Sequence, residues 1–325
     1  MDTVIVTQDL RKSFRTRKGG VVEAVKGVSM EVGRGEVFGF LGPNGAGKTT
    51  TLRMLTTLVP IDAGKATVAG FDVARQPKQV RQRTGYVSQL GGADDNATGW
   101  ENLVLQGRLY GGDLASVRRR AKELAAVLDL TEFADRKVAT YSGGQRRRLD
   151  VALGLVQQPE VLFLDEPTTG LDPQNRANLW DHIRAVRDRG TTVFLTTHYL
   201  EEADVLCDRL MIMDHGTIVA EGTSRELKRK VAGDSVVIGL KDESLGRHAA
   251  QLVSQEAYVR EVNTDDAGLR LYVEDGAEAL PQILRLLDSE RIELRSISLS
   301  EPTLDDVFLR QTGRSLRDAA AGVAA

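Results

Sequence analysis

From Val4 to about Thr223, short β-branched apolar runs alternate with amphipathic segments, the pattern of an α/β domain with a largely parallel central sheet. Residues 36–41, 161–164 and 192–195 are compact apolar runs that end in polar residues, as buried strands do when their C-terminal ends line a ligand crevice. Between about 98 and 140 the pattern turns helical. Val117, Ala121, Leu124, Ala125 and Leu128 recur at the spacing of one helix face, with Arg118, Arg119 and Arg120 on a solvated one, which predicts a helical subdomain at about 98–158. Asp214-His215-Gly216 between two apolar runs predicts a β-hairpin closing the first domain, 1–223. Beyond it, a strand at 235–240, helix at 245–254, strands at 258–263 and 269–274, helix at 277–289 and strand at 292–299 give β-α-β-β-α-β, a small α+β domain of ferredoxin-like type within 224–325. A short helix follows Pro302, with Leu304, Val307 and Phe308 on one face, and the Ala/Gly-rich stretch from Ala319 is expected to fray.

Composition narrows the setting. The 325 residues suffice for two domains, and a formal charge of −3 drawn from many residues of both signs gives no global field for nucleic acid or anionic lipid. One cysteine, Cys207, excludes an internal disulfide framework and a thiolate metal cage, and reads as a small buried side chain. No run approaches the ~18 apolar residues of a membrane span, and the start lacks a signal-peptide layout. The expected location is the cytoplasm.

Two motifs carry phosphate chemistry. The strand ending at Leu41 runs into Gly42, Pro43, Asn44, Gly45, Ala46, Gly47, Lys48 and Thr49, matching G-x-x-x-x-G-K-[ST], then into a helix through Thr50. Glycines let backbone N–H groups converge on phosphates, the helix N-terminus adds partial positive charge, Lys48 supplies a point charge and Thr49 a hydroxyl for Mg²⁺. Asp165 and Glu166 end the buried run at 161–164. Strand alternation puts them on opposite faces, Asp165 toward Mg²⁺ and Glu166 as candidate base for the attacking water. Together the motifs predict a nucleotide hydrolase.

Tyr141-Ser142-Gly143-Gly144-Gln145 precedes a helix with Leu149, Ala152, Leu153 and Val156 on its apolar face, a second helix start suited to an anion. It resembles the LSGGQ signature of ATP-binding cassette (ABC) proteins, with tyrosine replacing the usual leucine. The resemblance implies a P-loop NTPase fold with a RecA-like core, an antiparallel β subdomain and the helical subdomain, and it extends to other elements. Gln89 resembles the Q-loop glutamine that touches Mg²⁺ and the water, and Asp172 in Gly170-Leu171-Asp172 the D-loop, while also standing as an N-cap before Pro173. His198 resembles the switch histidine on the γ-phosphate, and Phe14 the aromatic that stacks on adenine.

In that family two cassettes sandwich two ATP molecules head to tail, so the resemblance implies a homodimer with Ser142, Gly143, Gly144 and Gln145 completing the partner's site. The segment 299–309, together with Tyr141 and the run 197–204, resembles the daunorubicin/doxorubicin-resistance ATP-binding subfamily. That implies an ABC-2-type integral-membrane permease as partner, drug or antibiotic export, and a place on the cytoplasmic face of the membrane. The alternatives are a lipid or glycan exporter cassette, an importer cassette with a regulatory tail, or a soluble ABC ATPase acting on ribosome or DNA. The last usually carries two cassettes in one chain or a long coiled coil, neither of which this sequence has. Arg146, Arg147 and Arg148 on a helix start do not make a nucleic-acid site.

Overall fold

The structure is a computed structural model, and it describes residues 2–16, 19–231, 234–265, 268–300 and 302–315. Arg17 and Lys18 in the loop after Phe14, Glu301 in the subfamily segment, and the Ala/Gly-rich stretch lie outside the described residues. The chain divides into two compact units, the first running to Ser224 and the second covering Arg225–Ser315.

In the first unit the elements follow in the order β1 (Thr3–Arg15), β2 (Val21–Gly33), β3 (Val37–Leu41), α1 (Lys48–Leu55), β4 (Ala63–Val68), β5 (Phe71–Asp72), α2 (Pro77–Arg83) and β6 (Thr84–Val87). Next come α3 (Gly99–Leu109), α4 (Leu114–Val127), α5 (Gly143–Leu155), β7 (Val161–Asp165), α6 (Pro173–Asp188), β8 (Thr192–Thr197), α7 (Leu200–Leu206), β9 (Arg209–Asp214) and β10 (Thr217–Gly222). Among the described residues they form a six-stranded sheet of order β10-β9-β3-β8-β7-β6 and a four-stranded antiparallel sheet of order β2-β1-β4-β5. Strands β9, β3, β8, β7 and β6 pair in parallel, so the C-terminal ends of β3, β7 and β8 reach one edge together. β8 separates the phosphate loop from the strand that carries the carboxylates.

Packing explains the strand sequences. Phe38, Phe194 and Phe163 share one register row across β3, β8 and β7, with neighbouring ring centroids 5.6 and 5.5 Å apart. Phe40 joins them at 5.1 Å from Phe194, and all four rings are fully buried. On the other face a Cβ at Gly39 would fall 2.4 Å from Cys207 Sγ, which explains both the glycine and the buried thiol. The hairpin of β9 and β10 turns through His215 and Gly216 with φ of 45° and 86°, the paired positive values of a type I′ turn.

In α4 the expected face, Val117, Ala121, Leu124 and Ala125, is buried. Arg118 and Arg119 are exposed, but Arg120 is half-buried and donates to Leu155 O at 3.2 Å, so the arginine run is not wholly solvated. Its reach ties α4 to the end of α5.

The chain continues through α8 (Ser224–Val231), β11 (Ser235–Leu240), α9 (Gly246–Val253), β12 (Val259–Asp265), β13 (Gly268–Val273), α10 (Gly276–Ser289), β14 (Leu294–Ser300) and α11 (Leu304–Thr312). The strands of the second unit order β12-β13-β11-β14, all antiparallel, as a ferredoxin-like β-α-β-β-α-β chain requires. β14 begins two residues later than periodicity predicts. Arg291 takes φ 55° and Ile292 donates its N–H back to Leu287 O, so Ile292 closes α10 and enters the core instead of opening the strand. α11 starts at a Thr303–Asp306 capping box and buries Leu304, Val307 and Phe308.

Candidate functional site: a nucleotide cradle and its carboxylates

The phosphate loop has a main-chain back wall. A Cβ on Gly42 would lie 2.2 Å from Met213 O, and one on Gly47 2.3 Å from Ala24 O, so only glycine fits either position. The loop is pinned by Gly42 N donating to Thr197 O and Gly216 N donating to Ala46 O. Pro43 and Ala46 are buried, Asn44 and Gly45 exposed, and Thr50 half-buried. α1 starts at Lys48 with no side chain capping it, so its first N–H groups remain available to an anion. Phe14 is placed near this loop by strand register: its partner is Val22, two residues before Ala24 on β2. Phe14 is 43% exposed, and Lys12 Nζ lies 5.4 Å from its ring centroid.

Lys48 is buried and donates to Gly42 O and Pro43 O at 2.7 and 3.0 Å. Burial pulls its pKa below the usual lysine value, against the opposing pull of Glu166 and Asp165. Asp165 Oδ1 accepts from Thr49 Oγ1 at 2.8 Å and Thr196 Oγ1 at 2.7 Å. Strand alternation does not aim Glu166. The strand stops at Asp165, and Glu166 takes φ 46°, a conformation that costs a side-chain-bearing residue about 1–2 kcal/mol. Its Oε1 thereby comes 3.7 Å from Lys48 Nζ and 3.3 Å from His198 Nδ1, while Oε2 accepts from Gln89 Nε2 at 3.1 Å and Thr169 Oγ1 at 3.2 Å. Both carboxylates therefore border the same loop, rather than opposite faces.

His198 Nδ1 is buried and, despite that proximity, lacks hydrogen-bond geometry to any partner. The carboxyl of Glu166 is pushed up by burial, but His198 and Lys48 outweigh this and hold its pKa below the usual glutamate value. It is ionised at neutral pH, as a group that polarises water must be.

The signature residues stand elsewhere. Ser142 caps α5 in a capping box with Gln145, and both Ser142 and Gly143 are exposed. A Cβ on buried Gly144 would lie 2.3 Å from Asn175 Oδ1, next to Asp172, which caps α6 through Asn175 N at 2.9 Å. Among the described residues no hydrogen bond or ion pair joins this group to Lys48 or Glu166. Tyr141 has a local reason: its hydroxyl donates to Phe133 O at 2.9 Å and its ring meets Phe133 edge-on at 4.9 Å.

Four contributors were not legible as site residues: Thr169, Thr196, Arg147 and Asp150. The adjacent arginines separate completely. Arg146 pairs with Asp95 at 2.6 Å and Arg148 lies 5.3 Å over the Phe133 ring, whereas Arg147 is buried against main-chain carbonyls. The available signal was spacing: Arg147 falls between Gly144 and Val151, on a helix face that is buried too.

Behind the site, Glu202 on α7 is fully buried and accepts from Trp180 Nε1 at 3.1 Å. Burial raises its pKa in the folded chain, so the folded state holds this proton more tightly than the unfolded one. Stability therefore falls as pH rises from the unfolded value, about 4.3, through the folded pKa. Glu202→Gln keeps the acceptor for Trp180 and removes this loss. Its melting temperature relative to the parent is expected to climb between pH 4 and 8, by about 1.4 kcal/mol of stability per pH unit separating the two pKa values. A pH-independent difference would show that the carboxyl titrates normally.

Comparison with known proteins agrees with this geometry. A family model described as ABC transporter matches residues 25–169, and one described as the ATP-binding protein DrrA1-3-like C-terminal domain matches residues 222–312. The daunorubicin/doxorubicin resistance ATP-binding protein DrrA of Streptomyces peucetius is 46% identical, covering 91% of this chain and 89% of that protein. The linearmycin resistance ATP-binding protein LnrL of Bacillus subtilis is 34% identical over 97% of this chain and 100% of its own. A solved ATP-binding cassette dimer in a post-hydrolysis state, bound to ADP and Pi, shares the fold with a TM-score of 0.62, covering 67% of this chain and 98% of that one at 23% identity. Cradle, carboxylates and relatives lead to one assignment: the chain belongs to the ATP-binding proteins of ABC transporters, in the daunorubicin/doxorubicin-resistance group, and is an ABC-type ATPase.

Proposed function

We propose that two copies of this chain, on the cytoplasmic face of the membrane, energise an ABC-2-type permease that exports drugs or antibiotics. The observation that carries the motor reading is the meeting of Lys48, Gln89 and His198 on Glu166, while Ser142, Gly143, Gly144, Gln145 and Asp172 lie apart from that cluster. A single chain thus has the loop and base for one nucleotide and an unattached helix start for another. We assign Phe14 to the adenine, the loop 42–50 to the phosphates, and the signature residues to the partner's nucleotide. We assign residues 1–223 to the motor and 224–325 to an accessory domain.

Thr49 Oγ1 and Asp165 Oδ1, 2.8 Å apart, are hard oxygen donors beside the cradle, which fits Mg²⁺. Among the described residues no cluster of three His, Cys, Asp or Glu could hold a metal alone, in keeping with an ion that takes much of its shell from water and phosphate. When bound, Mg²⁺ would neutralise charge on the phosphate oxygens. Glu166 would then orient and polarise the attacking water, Gln89 would hold Glu166 and the water in register, and His198, beside Glu166, would face the γ-phosphate.

No helix among the described residues is long and apolar enough to cross a membrane. In this reading the passage through the membrane belongs to the permease. Co-expressed with an ABC-2-type permease that it energises, the protein in inverted vesicles should show ATPase activity stimulated by hydrophobic drugs, with drug accumulation. Stimulation by a lipid or glycan alone would remove the drug assignment and leave the motor intact.

A further inference from the structure

We propose that Arg147 is a positioning residue for hydrolysis, holding Glu166 in its left-handed conformation and Gln89 beside it, so that α5 sets the geometry of the base. The proposal rests on Glu166 as the base. Arg147 Nε donates to Pro167 O at 2.6 Å, Nη1 to Ser88 O at 2.7 Å, and Nη2 to Asp165 O and Glu166 O at 3.1 and 3.3 Å. Three consecutive carbonyls converge on one guanidinium, which requires the chain to curl after β7, and φ 46° at Glu166 supplies that curl. The fourth carbonyl belongs to the residue before Gln89.

A planar fork with five donors spans both segments at once, as an ammonium group cannot. Asp150, one turn further along α5, grips the far side of the same segment by accepting from Gly92 N at 2.9 Å. A Cβ on Gly91 would fall 2.5 Å from Asp150 Oδ2, so the chain passes hard against the carboxylate. One turn of α5 thus clasps residues 88–92 at both ends. The same helix is capped by Ser142, so a displacement of its start reaches Gln89 and Glu166 together.

Steady-state kinetics on the full chain test this, with nucleotide affinity and thermal unfolding measured beside them. Arg147→Met is expected to lower kcat at least tenfold with KM for ATP within twofold, since Lys48 and the loop are untouched. Arg147→Lys should recover part of kcat. Parental kcat in Arg147→Met, or a KM effect alone, would overturn the proposal. If Arg147→Met does not fold, Arg147→Lys carries the test: reduced kcat at unchanged nucleotide affinity supports the role, and parental kcat refutes it. Glu166→Gln run in parallel separates the two claims. Normal turnover there removes the base itself, whereas an inactive Glu166→Gln beside a fully active Arg147→Met removes only the clasp.

Discussion

Glu166→Gln is expected to cut ATP turnover by about 10²–10⁴-fold, the contribution of a well-placed general base, while nucleotide affinity is kept or improved. Glutamine has the same shape and can still accept from Gln89 or Thr169, the partners of the carboxylate. What disappears is the negative charge 3.7 Å from Lys48. Because Lys48 is also held by Gly42 O and Pro43 O, its ammonium stays aimed into the cradle. With binding intact and hydrolysis blocked, ATP should accumulate a closed dimer, visible by size-exclusion chromatography in ATP and absent without it. Parental turnover in this variant would take the base role from Glu166.

Lys48→Ala should act on the other half of the reaction. One charged contact to a phosphate is worth about 1.5–3 kcal/mol, on the order of 10- to 100-fold in Kd, and a titration with a fluorescent ATP analogue reads it directly. A second effect follows from the pair. Removing the ammonium takes away one of the charges that offset burial at Glu166, so the carboxyl pKa rises. The acid limb of any residual activity should move to higher pH than in the parent. Unchanged ATP affinity would contradict the cradle assignment.

The difference between these sites and the residues around them also explains what sequence could reveal. The phosphate loop is contiguous and dictated by backbone: Gly42 and Gly47 leave no room for a side chain, so spacing alone identifies it. Asp165 and Glu166 were recognisable as the end of a buried strand, but the aim of Glu166 depends on a single left-handed residue that alternation does not foresee. Its meeting with His198 depends on β8 lying between β3 and β7, a strand order that sequence leaves open. Arg147 was hidden by composition. Three adjacent arginines look alike in sequence, yet about 100° of rotation per residue sends one to an acid, one into the interior and one onto an aromatic ring. In the second unit the alternation of elements was enough for the sheet, because β-α-β-β-α-β returns its strands to one antiparallel order, while Arg291 set a strand start that periodicity misplaced.

The capping box at Ser142 gives the signature segment a property beyond helix stability. A hydroxyl has two acceptor lone pairs and one proton to donate. Ser142 Oγ receives the N–H of Gln145 at 3.3 Å through a lone pair, and the Gln145 side chain receives the Ser142 N–H in return. The serine proton takes no part in either bond. In the proposed dimer the residue can donate that proton in a hydrogen bond to an anion arriving from outside without loosening its own helix, so docking and undocking there would need no local melting and the segment would act as a repeating latch.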